Sequence, residues 1–139
     1  IDKYYKPEVP LNLTKYLLKF ANSSIDVSDG LIDDLSKMIN RQNLSFHLFE
    51  KKIPVSKKLS NFIKNKKFNK IDLISNGDDY QVLFTAGINK ARIIQNASKT
   101  TGIKITKIGK IVSGKNRSLI FDQKDKQIQA KSKGYIHQF

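Results

Sequence analysis

The chain has 139 residues with 26 Lys and Arg against 12 Asp and Glu, a formal charge of +14, and hydrophobic and charged fractions of 39% and 27%. That length and balance predict one soluble domain over residues 1–139 with a single core. They exclude a membrane span, since no apolar run is long enough, and the first residues lack a signal-peptide pattern. The lack of cysteine excludes disulfides and thiolate metal centres and fits a cytoplasmic location.

The charge does not point to specific nucleic-acid recognition. Of the basic residues 23 are Lys and only three, Arg41, Arg92 and Arg117, are Arg, the residue that reads bases and phosphates bidentately. The lysines are scattered over every segment, as solvated surface residues with a general attraction for anions. The first residue is Ile1 and the only methionine is Met38, so the chain is expected to be part of a longer protein.

In chain order, Tyr4 to Pro10 is an extended entry with two prolines. Thr14 to Asn22 is predicted as a helix with Leu13, Leu17, Leu18 and Ala21 on one side. Ser24 to Val27 reads as a short strand and Leu31 to Gln42 as a helix, with Leu31, Ile32, Leu35, Met38 and Ile39 at helical spacing. Ser45 to Glu50 is predicted as a strand, where His47 is a packed or edge residue, and Ser56 to Lys66 as a surface helix. A turn at Asn76-Gly77 leads into a strand over Tyr80 to Thr85. Asn89 to Thr101 is an amphipathic helix stopped by Gly102. Ile103 to Ile111 carries one or two strands broken at Gly109, and Ser118 to Phe121 is a last strand before a polar tail. Strands and helices alternate without a clean βαβ repeat, which predicts an α/β sandwich of the α+β type with a mixed sheet.

Carboxylates are concentrated in one place. Four of the 12 acidic residues, Asp26, Asp29, Asp33 and Asp34, fall where the strand over Ser24–Val27 turns into the next helix. Ser28, Asp29 and Gly30 suit the helix N-cap, and Asp33 and Asp34 suit the positive end of its dipole. Asp26 and Asp29 together, with Ser28 between them, suggest a cation site, and all-oxygen donors suit Mg²⁺. A second acidic pair, Asp78-Asp79, follows Asn76-Gly77, a composition that by itself favours a structural turn. No motif supplies a nucleophile, a P-loop or a paired-histidine metal centre, so no catalytic acid or base is assigned.

The stretch Ile25-Asp26-Val27-Ser28-Asp29-Gly30-Leu31, followed by Asp34-Leu35, resembles the I-D-[hydrophobic]-S-D-G-L-x-x-D-L motif of the thiamine-monophosphate kinase family. Ser75-Asn76-Gly77-Asp78-Asp79-Tyr80-Gln81-Val82-Leu83-Phe84-Thr85 is similar to that family's S-G-G-E-D-Y-E-L-x-F-T block. Lys107-Ile108-Gly109 and Lys133-Gly134-Tyr135-Ile136-His137 resemble two weaker ones. The family belongs to the aminoimidazole-ribonucleotide-synthetase superfamily, and the resemblance implies its C-terminal α/β half, the N-terminal ATP-binding half being absent.

By the same resemblance, Asp26 and Asp29 are Mg²⁺ ligands, Ser28 contacts the nucleotide, and Asp78 and Tyr135 contact thiamine phosphate. The implied reaction moves the γ-phosphoryl group of ATP onto thiamine monophosphate, in a homodimeric full-length enzyme of which the fragment alone is inactive. The sequence departs from the family at Asn76 (Gly in the family), Asp78 (Glu) and Ile136 (Asp). The alternatives are a related enzyme acting on another small phosphorylated substrate, and a non-catalytic anion-binding or interaction module.

Overall fold

A computed structural model describes residues 11–40, 42–66, 70–71 and 81–128. The chain divides into two compact units, one drawing on Ile1–Asp26 and Tyr80–Ile105, the other on Val27–Asp79 and Thr106–Phe139.

The first unit holds helix α1 (Leu11–Phe20), strand β1 (Ala21–Asp26), strand β3 (Val82–Ala86) and helix α4 (Ala91–Thr101). Strands β1 and β3 pair antiparallel, with Asp26 opposite Val82 at one end and Ala21 opposite Ala86 at the other. The core gathers buried Leu13, Phe20 and Ala97, with Tyr16, Leu17, Phe84 and Ile94 packed around them. Leu13, Tyr16, Leu17 and Phe20 are a three-and-four stripe, which is why α1 buries that side. The expected stripe is corrected in two places: Leu18 is 88% exposed, and Ala21 already belongs to β1. Along β1 exposure alternates, so Asn22, Ser24 and Asp26 face outward. Helix α4 ends at Gly102, whose left-handed φ of 70° makes the predicted stop. A single 3-10 turn over Ile88–Lys90 precedes α4.

The second unit contains helix α2 (Leu31–Ile39), strand β2 (Leu44–Phe49), helix α3 (Lys57–Lys66), and strands β4 (Gly109–Ser113), β5 (Leu119–Phe121) and β6 (Gln127–Ile128). The sheet runs in the order β4-β2-β5-β6. Strand β2 pairs antiparallel with β4 and parallel with β5, and β6 is antiparallel to β5. This is the mixed sheet with accompanying helices expected from the sequence. His47 lies on the central strand β2, edge-on to Phe121 with ring centroids 5.8 Å apart, so it is packed rather than at an edge.

Two differences from the sequence reading have physical causes. Gly109 does not break a strand; it opens β4 opposite Leu48, where a Cβ would lie 2.4 Å from the His47 carbonyl oxygen. Residues 102–108 form no regular element, and one bond, Phe49 N–H to the Ile108 carbonyl at 2.9 Å, leads them into the sheet. Helix α2 stops at Ile39 rather than Gln42, because Asn40 turns extended (φ −58°, ψ 148°). Helix α3 starts where Ser56 Oγ accepts the Leu59 N–H at 3.1 Å, an N-cap bond.

Among the described residues no helix is long and apolar enough to cross a membrane. The predicted extended entry, the Asn76-Gly77 turn and the polar tail lie outside the described residues.

Candidate functional site

The acidic turn is held by a carboxylate in the first turn of the helix that follows it. Leu31, Asp34, Leu35 and Ile39 are the buried residues of α2, so Asp34 occupies a place in the core stripe that periodicity would give to an apolar side chain. A carboxylate only 1% exposed must have its oxygens satisfied. Asp34 Oδ2 accepts the backbone N–H of Ser28 at 2.8 Å and that of Asp29 at 3.0 Å, and Oδ1 accepts the Lys37 ammonium at 3.0 Å. The first helical bond, Asp34 N–H to the Gly30 carbonyl at 3.0 Å, is made by the same residue.

One of the three N-cap candidates of the sequence is the one used. Gly30 is the N-cap, and no side chain caps the helix there, so neither Ser28 nor Asp29 serves as cap. Gly30 is buried and has φ 120° and ψ 148°, a backbone region open in practice only to glycine. The turn therefore needs Gly30 for its path and Asp34 for its fastening.

Lys37 is a residue that sequence reasoning missed. Its ammonium pairs with Asp29 as well as Asp34, and Asp29 is partly exposed, at 26% of its side chain. The signal available in the sequence was its i+3 position after Asp34, which brings the two side chains to one helix face. Asp29 first, and then Asp34, raise the pKa of Lys37 above the usual lysine value. Burial alone would raise the pKa of Asp34. The bonds from Lys37, Ser28 and Asp29 outweigh it and hold the carboxyl below its ordinary value.

The other predicted site residues are placed as follows. Asp26 is exposed at the end of β1 in the first unit, whereas Ser28 (exposed) and Asp29 open the second. Asp78 and Tyr135 lie outside the described residues. Among the described residues no group of three or more His, Cys, Asp or Glu could hold a metal ion. The donors present still fit Mg²⁺, which takes one or two protein carboxylates and completes its shell with water and substrate phosphates. At Asp29 such an ion would share the carboxylate with Lys37. A cavity of about 480 Å³ elsewhere in the second unit, lined by Ile39, Asn40, Phe46 and Lys115 among others, includes none of the predicted site residues.

No protein-family model matches the chain. The chain is similar to the thiamine-monophosphate kinase of Buchnera aphidicola subsp. Schizaphis graminum, with 33% identity over 137 residues, 99% of this chain and 42% of the relative. It is also similar to the thiamine-monophosphate kinase of Aquifex aeolicus, with 31% identity over 86 residues, 61% of this chain and 28% of the relative. Among solved structures, AaThiL complexed with AMPPCP and TMP superposes with a TM-score of 0.69 at 25% identity, over 96% of this chain and 39% of that one. The chain thus spans about two fifths or less of the length of these relatives.

Proposed function

The chain is a homologue of the C-terminal part of thiamine-monophosphate kinases, and on that premise we propose that it is the metal- and substrate-binding part of an ATP-dependent kinase for thiamine phosphate. The observation that carries the proposal is the similarity over 99% of the chain to a protein of that name. The fastened turn supports it locally, because it gives Ser28 and Asp29 a fixed path at the head of α2.

In the proposed reaction an oxygen of the thiamine phosphate group attacks the γ-phosphorus of ATP. A new P–O bond forms, the bond between the γ-phosphorus and the β–γ bridging oxygen breaks, and ADP leaves with the electron pair. An acceptor phosphate is already anionic near neutral pH, so the chain has no need of a strong general base. Positioning and charge neutralisation supply the catalysis. Asp26 and Asp29 would hold Mg²⁺, which when bound offsets the clustered phosphate charge. Ser28 contacts the nucleotide, and Asp78 and Tyr135 contact the thiamine phosphate. The ATP-cradling part precedes this chain in a longer, homodimeric, cytoplasmic enzyme, and the chain alone is inactive.

The test is formation of thiamine diphosphate from thiamine monophosphate and ATP by the protein containing this chain. Turnover that stops when Mg²⁺ is chelated is expected. Phosphorylation of a different small phosphorylated compound, with thiamine monophosphate refused, would redirect the reading to a related kinase. Turnover by residues 1–139 alone would contradict the division of labour.

A further inference from the structure

One ammonium is shared by two carboxylates in unlike situations. Asp34 is buried, carries two backbone N–H bonds, and sits at i−3 from Lys37 on the same helix. Asp29 is on the loop, 26% exposed in its side chain, and reaches Lys37 across eight residues of sequence. Lys37 itself is half exposed, at 50%. A cation coming to Asp29 from solvent therefore finds an ammonium already on Oδ2.

We infer that Lys37 is a resident counter-cation for Asp29, which it releases when a divalent ion binds there, remaining on Asp34. The inference rests on the reading of Asp29 as a metal ligand and says what sets that ligand's affinity. Without metal, Lys37 offsets the repulsion between the two carboxylates, so the turn keeps its path. With a divalent ion on Asp29, the ammonium and the ion repel at a separation of a few ångströms, in surroundings less polar than water. Asp34 is already placed to hold the ammonium alone: Oδ1 accepts Lys37 at 3.0 Å while Oδ2 stays on the Ser28 and Asp29 N–H groups. The exchange separates Lys37 from Asp29 and leaves the bonds from the Ser28 and Asp29 N–H groups to Asp34 in place. Lys37 is thus a positioning and affinity-setting residue, not a ligand.

The test is Mn²⁺ binding, followed by electron paramagnetic resonance on the protein containing this chain, for the wild type and for Lys37→Gln, Lys37→Met, Lys37→Arg and Asp29→Asn. Both neutral variants are expected to bind Mn²⁺ roughly tenfold tighter, the factor that goes with one pKa unit of charge coupling. Lys37→Arg keeps the charge and should bind like the wild type, and Asp29→Asn should bind weakly. Should Lys37→Met fail to fold, Lys37→Gln retains a donor toward Asp34 and carries the comparison. Neutral variants no tighter than wild type, with Asp29→Asn weakened, would overturn the role of Lys37 and leave Asp29 a ligand. Wild-type binding by Asp29→Asn would overturn both.

Discussion

The carboxylate of Asp34 accepts the backbone N–H of Ser28 at 2.8 Å, so a buried helix side chain fixes the loop that leads into its own helix. Replacing Asp34 by Ala leaves the N–H groups of Ser28 and Asp29 without this acceptor and removes the buried partner of Lys37. We expect Asp34→Ala to cost about 2–4 kcal/mol, from two under-satisfied amides and a lost charge-assisted bond. Urea unfolding midpoints measure the loss, and faster hydrogen exchange at Ser28 and Asp29 would localise it. A midpoint within experimental error of the wild type would show that the turn holds without Asp34.

The same carboxyl sets an acid limit on stability. The folded pKa of Asp34 lies below its ordinary value of 3.8, so above that value its contribution is fully present. As the pH falls below 3.8 the unfolded chain takes up the proton first, and stability drops until the folded carboxyl is protonated too. In Asp34→Asn this dependence is removed, so the acid limb of the stability curve should be shallower than in the wild type. Parallel acid limbs for the two proteins would contradict the origin assigned to it.

How much of this could be read from residues alone depended on what each signal encoded. Periodic apolar spacing marked α1, α2 and α4 and the glycine stop at Gly102, because those follow from local chemistry. It also ranked Leu18 as buried, since spacing cannot say which of two adjacent leucines faces a core made by Phe84 and Ile94, distant in sequence. The acidic cluster stands out in the sequence as a concentration of carboxylates, but the sequence assigns Asp34 to the helix dipole. Its actual role depends on burial within the second unit and on the path that Gly30 imposes. Lys37 was missed for the same reason: scattered lysines look alike until one is seen pairing with two aspartates. Gly109 looks like a breaker in the sequence because its close approach to the His47 carbonyl comes from strand pairing and not from its neighbours in sequence.

Gly30 is the other fixed point of the turn. At φ 120° and ψ 148°, any side chain forces the backbone into a region that L-residues avoid. Gly30→Ala should therefore destabilise the protein by about 1–3 kcal/mol, although the substitution adds only a methyl group. Thermal unfolding reads this directly. A melting temperature equal to that of the wild type would mean that the loop relaxes to another path at no cost.

We propose above that the carboxylate of Asp29 serves phosphoryl transfer through a divalent ion. The most direct measurement is the Mg²⁺ dependence of thiamine diphosphate formation by the protein containing this chain, for wild type and Asp29→Asn. An amide is a poor Mg²⁺ ligand, so the variant should need far more Mg²⁺ for half-maximal rate and should lose about 10²-fold or more in kcat/KM. Its melting temperature should stay within a few degrees of the wild type, since the Asp29 N–H still bonds to Asp34. Asp29→Asn turning over at the wild-type rate, with an unchanged Mg²⁺ requirement, would show that Asp29 is not a metal ligand in the reaction.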